Sequence, residues 1–111
     1  MKRFLVLYQA DASAEEQMAN ATPEQAKAGM DAWMAWAGKA SSAIVDLGAP
    51  LGTGTHVESG SSGSGRTHVR GYSVLQGASM DDVLRALDGH PHLMMPGASI
   101  EVLEALAMPG M

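Results

Sequence analysis

The sequence predicts a single α+β domain in which two helices cover one face of an antiparallel sheet. Three observations support this class. Residues 4–8 form an apolar strand pattern, helix-capping signals stand at Thr22 and Ser79, and later apolar residues alternate with a period of two. A chain of 111 residues fits one hydrophobic core, so residues 1–111 are expected to form one domain.

Composition excludes several classes of function. A net charge of −5 argues against nucleic acid or an anionic membrane surface as the main partner. The absence of cysteine excludes disulfides, thiolate nucleophiles and zinc–thiolate sites. No apolar segment approaches the ~20 residues that cross a bilayer, and acidic residues soon follow the apolar start of the chain. We therefore expect a soluble cytoplasmic protein without a cofactor.

The first half of the chain predicts two strands. Residues 4–8 are apolar on both faces, which is typical of a central strand that is covered on both sides. Ser13 and Glu16 have the spacing of a capping box, which predicts one helical turn. Residues 43–47 predict the second strand, which we expect to end where glycine and proline occur in residues 48–52.

A long amphipathic helix is predicted from Thr22 to about Ser41. Thr22 and Gln25 form a capping box around Pro23, which suits the first helical position. The apolar residues then fall on one stripe, which we expect to be buried. The stripe consists of Ala26, Met30, Trp33 and Ala37, with Gly29, Trp36 and Ala40 beside it.

Residues 59–65 contain only serine and glycine and predict a mobile hairpin tip. Its arms are expected to be residues 53–58 and 67–76. In the second arm, period-two alternation places His68, Arg70, Tyr72 and Val74 on one face. Gly71, on the other face, leaves room for a close neighbour.

The last third of the chain predicts a helix, a turn and a strand. Ser79 and Asp82 cap the helix, and Gly89 with Pro91 ends it. Residues 98–106 alternate as the final strand. The order strand, helix, strand, strand, helix, strand is the ferredoxin-like βαββαβ arrangement, with both helices on one face of the sheet.

Two helices cover only one face of such a sheet, yet the strands carry apolar residues on both faces. An exposed apolar face of that size is unusual in a monomer. The sequence therefore predicts a homodimer in which two sheets face each other and enclose a barrel-like cavity.

Several segments resemble the YCII-related (DGPF-type) domain family over nearly the whole chain. The resemblance implies the ferredoxin-like fold, a dimeric α/β barrel and a cleft of mostly unassigned function. It also implies that a few relatives dehalogenate or isomerise small aromatic-derived compounds. The matching segments are residues 1–8, Trp33 and Trp36, and residues 44–52, 71–74, 89–93 and 99–102.

The chain departs from the acid–base dyad proposed for the YciI branch of that family. That dyad consists of a helix histidine and the aspartate of an Asp-Pro-aromatic turn. Here the helix position falls near Ala32 or Trp33, and the turn reads His90-Pro91-His92. Neither half of the dyad is retained, so an acid–base pair would have to be rebuilt, for example from His90 and Asp46.

The candidate catalytic residues are His90, Asp46 and Tyr72. Histidine carries protons near neutral pH, a carboxylate orients it, and a tyrosine stabilises a developing oxyanion. This pattern predicts a small lyase, isomerase or hydrolase, with Trp33 and His92 lining the ligand site. In the structural interpretation, His90 is instead a cation at a helix C-terminal end, and Asp46 is a strand-end residue or a turn cap.

Two other interpretations of the same residues stay open. The first is a non-catalytic dimeric module that binds a small apolar or aromatic ligand or assists a neighbouring enzyme, with Trp33 and Trp36 as packing residues or a stacking platform. The second is a metal site at His90 and His92 with His56 or His68. The two-residue spacing matches no standard site, so we expect surface histidines and no metal.

Overall fold

The computed structural model describes residues 1–110 as an α+β fold with one main antiparallel sheet. Short 3₁₀ helices cover Ser41–Ala43 and Pro91–Met94. The α-helices are α1 (Ala14–Asn20), α2 (Pro23–Lys39) and α3 (Met80–Ala86). The strands are β1 (Lys2–Gln9), β2 (Ile44–Pro50), β3 (Thr55–Glu58), β4 (Ser61–Ser64), β5 (Val69–Gly77) and β6 (Ser99–Glu104).

The four-stranded sheet has the order β2-β5-β1-β6, with every neighbouring pair antiparallel. This order is compatible with the predicted ferredoxin-like arrangement. The two central strands, β1 and β5, are adjacent although most of the chain separates them. No helix within residues 1–110 has the length and apolar character needed to cross a membrane.

The hydrophobic core lies between the helices and one face of the sheet. Burial alternates along β1, where Phe4 and Val6 are fully buried and Leu5 between them is 38% exposed. Burying a large apolar side chain contributes roughly 1.5–3 kcal/mol, so these strand residues hold the two layers together. The buried residues that complete this cluster are Tyr8, Trp36, Ala40, Leu75, Val83 and Leu87.

Helix α2 begins as predicted but is only partly buried. Thr22 accepts from the amide of Gln25, whose side chain accepts from the amide of Thr22, so the capping box is confirmed. Trp36 is buried, but Ala26 is exposed and Met30 is 62% exposed. The prediction that the whole stripe is buried is therefore wrong, because only its C-terminal part packs against the core, through Trp33, Trp36, Ala37 and Ala40.

The hairpin prediction is also wrong in its pairing. Residues 53–58 do not pair with residues 67–76, because β5 pairs with β2 and β1 instead. Within the serine–glycine segment, β4 pairs with β3, which leaves only Ser59 and Gly60 as the turn. Strand pairing therefore extends into a segment whose composition alone predicts only a hairpin tip.

Strand β2 continues two residues beyond Gly48, where the sequence predicts a break. Gly48 has a φ of 82°, and the register with β5 shifts between Asp46 and Ala49. A β-carbon on Gly48 would lie 1.7 Å from the carbonyl oxygen of Tyr72. Glycine is therefore required here both for its backbone conformation and for the close approach of β5.

We expect Gly48→Ala to lower the free energy of unfolding by about 3 kcal/mol or more, because positive-φ strain adds to a backbone clash. Gly29→Ala is the matched control, since a β-carbon on Gly29 in α2 would meet nothing within 4 Å. That control should stabilise the helix by up to about 1 kcal/mol. Urea denaturation followed by circular dichroism measures both, and equal stabilities would contradict the prediction.

Candidate functional site

Three aromatic side chains surround His90 on the helix-covered face of the sheet. The centroid of its ring lies 4.3 Å from that of Trp36, 4.5 Å from that of Trp33 and 4.9 Å from that of Tyr8. His90 is 1% exposed. Trp33 and Trp36 therefore pack within their own chain, and Trp36 also donates from Nε1 to the carbonyl oxygen of Ala86 at 2.9 Å. We call His90, Tyr8, Trp33 and Trp36 the aromatic cluster.

The turn after α3 determines the orientation of His90. Gly89 has a φ of 72°, and Pro91 begins the following 3₁₀ helix, which confirms the predicted stop. Nδ1 of His90 accepts from the backbone amide of His92 at 3.0 Å, so the neutral ring carries its proton on Nε2. Nε2 is buried and has no hydrogen-bond partner among the described residues. It therefore lies against the aromatic rings.

Burial among these rings, together with a smaller electrostatic contribution from His92, lowers the pKa of His90 from 6.5 to about 4. His90 is therefore neutral near pH 7. The interpretation of His90 as a helix-end cation is wrong, because the buried ring does not take up a second proton at that pH.

His92 forms hydrogen bonds that connect the turn to the sheet. Its Nε2 lies 2.9 Å from the carbonyl oxygen of Gln9 and 3.0 Å from that of Ser99, and it donates to both. These carbonyls belong to β1 and β6, so His92 closes one end of the sheet against the 3₁₀ helix. His92 is 8% exposed, so both turn histidines are buried and the expectation of surface histidines is wrong for them.

Two buried hydrogen bonds link Tyr8 to β2 through Ser73. Ser73 donates to the carbonyl oxygen of Leu47 at 2.6 Å, and the Tyr8 hydroxyl lies 2.8 Å from Ser73 Oγ, which it reaches as the donor. Burial raises the pKa of Tyr8 to about 12. The alternation of β1 predicts the direction of Tyr8, but no local signal identifies Ser73 as its partner.

The other two candidate catalytic residues lie together on the opposite face of the sheet. The Tyr72 hydroxyl donates to Asp46 Oδ2 at 3.5 Å, and Asp46 Oδ1 accepts from the amide of Gly48 at 2.8 Å. Asp46 is thus an exposed turn cap, which is one of the two structural interpretations of this residue. Tyr72 pairs with Leu7 and shares its face, whereas Tyr8 and His90 lie on the other side. The pairing of His90 with Asp46 is therefore not formed.

Within residues 1–110, no helix covers the face that carries Tyr72 and Asp46, and we call it the bare face. Its centre is apolar, and charged or amide side chains surround that centre. Strand alternation indicates this face, because it is the side of β1 that does not enter the core. The central residues are Leu5, Leu7, Val74 and Leu103, and the rim residues are Arg3, Gln9, Asp46, Gln76 and Glu101.

Two grooves formed by residues 1–110 lie elsewhere. One groove of about 310 Å³ runs between α3 and β6 and is lined by Leu84, Leu87, Leu93 and Ile100. Another of about 400 Å³ lies beside Met1. Neither touches His90, Asp46 or Tyr72. Among residues 1–110, no three His, Asp or Glu side chains are placed to hold one metal ion.

Comparison of the chain with protein-family models and with curated proteins finds no match. The YCII-related resemblance thus remains a prediction from the residues that carry it. The α+β fold and the geometry of the two faces stand on the structure alone.

Below neutral pH the buried His90 should reduce stability. The unfolded chain takes up a proton near pH 6.5, whereas folded His90 does so only near pH 4. The free energy of unfolding should therefore be highest above pH 6.5 and fall by about 1.4 kcal/mol per pH unit between those values. Urea denaturation at a series of pH values measures this slope.

His90→Asn is the control for that experiment, because its side-chain oxygen replaces the Nδ1 acceptor but does not titrate. We expect a lower stability at pH 7 from the lost ring packing and a flatter profile between pH 6.5 and 4. Hydrogen bonds from Thr53 lower the pKa of Glu15 below its usual 4.5, so that group titrates outside most of this window. Identical slopes in both proteins would contradict the assignment.

Proposed function

We propose that the protein is a homodimer of the YCII-related type that binds a small apolar or aromatic ligand between two sheets. The bare face carries this proposal. Its apolar centre and polar rim match the anatomy of a protein–protein interface. Two bare faces stacked on each other would form the dimeric α/β barrel that the resemblance implies.

The exposed surface of the chain also supports a dimer. A compact monomer of 11.5 kDa exposes about 5,800 Å². The chain exposes 7413 Å², which exceeds that figure by roughly 1,600 Å². Each protomer of an obligate dimer buries about 1,000–2,500 Å². The radius of gyration, 15.5 Å, likewise exceeds the roughly 13 Å of a compact chain of this length.

The placement of the polar groups favours ligand binding over acid–base catalysis. In the proposed chamber, Tyr72 and Asp46 would supply polar contacts beside the apolar side chains of Leu7 and Val74. His90 would not reach the ligand, because the sheet lies between them. The chamber would thus have an apolar wall and few polar groups, which is the composition of most small-ligand sites. Trp33 and His92, on the side of His90, would support the sheet and not line the chamber.

A charge on the bare face should dissociate the dimer. We expect Leu103→Glu to weaken dimerisation at least tenfold, which is about 1.4 kcal/mol, because the new carboxylate would be buried between two sheets. Leu84→Glu is the matched control on the helix side, since Leu84 is 49% exposed and Leu103 is 47% exposed. Sedimentation velocity over a concentration series measures both. A wild-type chain that is monomeric at micromolar concentration would contradict the proposal.

Ligand binding can be tested by a thermal-shift screen of small aromatic acids and amines against the wild-type protein. A compound that binds in the chamber should raise the Tm, and Tyr72→Phe and Asp46→Asn should reduce that rise. His56→Asn, remote from both residues, should leave it unchanged. Product formed from a stabilising compound would favour the enzymatic alternative. Stabilisation that neither chamber variant alters would contradict the proposed site.

A further inference from the structure

The hairpin of β3 and β4, residues 55–64, extends from the main sheet, and we call it the arm. The amide of Leu51 donates to the carbonyl oxygen of Arg70 at 2.9 Å, and that of Gly65 to Gly54 at 2.9 Å. These bonds continue the β2–β5 pairing beyond the edge of the sheet. The arm itself forms a separate two-stranded sheet that pairs with no strand of the main sheet.

The arm receives little support from its own chain. Its one large apolar side chain, Val57, is 72% exposed, and only His56 is partly buried. A single two-stranded hairpin is marginally stable at best in water, because its few hydrogen bonds barely offset the loss of chain entropy. A stable arm therefore needs a surface to lie against.

The two faces of the arm differ in charge. On one face His56 Nε2 lies 3.0 Å from Glu58 Oε1, and Arg66 lies 3.6 Å from the same oxygen. These charges are paired within the chain. The opposite face has no charge, and its side chains are no larger than valine, so another backbone can approach it closely. The uncharged face consists of Thr55, Val57, Ser62 and Ser64.

We propose that the arm lays its uncharged face on a second copy of this chain. The inference rests on the homodimer proposed above and extends it. The arm continues β2 and β5, which carry Asp46, Tyr72 and Val74 on the bare face, so it leaves the main sheet at the rim of that interface. Each protomer of an obligate dimer buries about 1,000–2,500 Å², and the exposed residues of the arm add surface that such an interface can cover.

Two adjacent serines provide a matched test. Ser62 pairs with Val57 on the uncharged face, and Ser61 pairs with Glu58 on the charged face. Ser62→Asp should raise the Kd of the dimer at least tenfold, because the carboxylate would be buried against the partner. Ser61→Asp should change it less than twofold. Sedimentation equilibrium measures both, and equal effects of the two substitutions would overturn the inference.

A shortened chain tests the arm without new charges. Gly54 and Gly65 are already hydrogen-bonded, so the dipeptide Asn-Gly can replace residues 55–64 as a two-residue turn. We expect the Tm of the isolated protomer to be unchanged within error and the Kd of the dimer to rise at least tenfold. If Leu103→Glu dissociates the dimer but the shortened chain keeps full affinity, the arm inference fails alone. A monomeric wild-type chain overturns both proposals.

Discussion

A single sheet with helices on one side buries only one of its two faces within one chain. Because side chains alternate along a strand, the residues that fill the core determine which residues are left on the other face. Burying Phe4 and Val6 of β1 places Leu5 and Leu7 outside. The bare face, the excess surface and the proposed dimer all follow from this constraint. The same constraint separates His90 from Asp46, since each lies on a different side of the sheet.

The histidine turn illustrates how a group with catalytic potential can have a structural role. His90 is neutral because the aromatic cluster excludes water. His92 donates a hydrogen bond from Nε2 to two backbone carbonyl oxygens. Together they join α2, the turn and the ends of β1 and β6. A titratable residue held in this way contributes to the stability of the fold. Of the candidate catalytic residues, Tyr72 and Asp46 remain accessible, on the face where we propose that a partner or ligand binds.

Local signals predicted the local structure well. The capping box at Thr22, the side-chain cap at Ser79 and the stop at Gly89 act within one helical turn, so a few residues specify them. Pairing between distant segments was less predictable. The sequence pattern pairs residues 53–58 with residues 67–76, whereas in the structure residues 55–58 pair with β4 in the serine–glycine segment. The pairing of β4 depends on backbone hydrogen bonds, which the side-chain pattern does not reveal. The exposure of Met30 likewise depends on how far along α2 the contacts with the core extend, which periodicity does not encode.

The sequence by itself determined the α+β class, the helix starts and stops, and the apolar character of both sheet faces. Each of these depends on the spacing of capping residues or on the alternation of apolar residues along the chain. Only the tertiary structure decided which candidate residues meet. His90 and Asp46 are 44 positions apart, and whether they share a face depends on the register between strands and on the bulge at Gly48. A shift of one residue in a strand exchanges its two faces. Residue type alone therefore identified plausible groups, and the pairing of strands determined their neighbours.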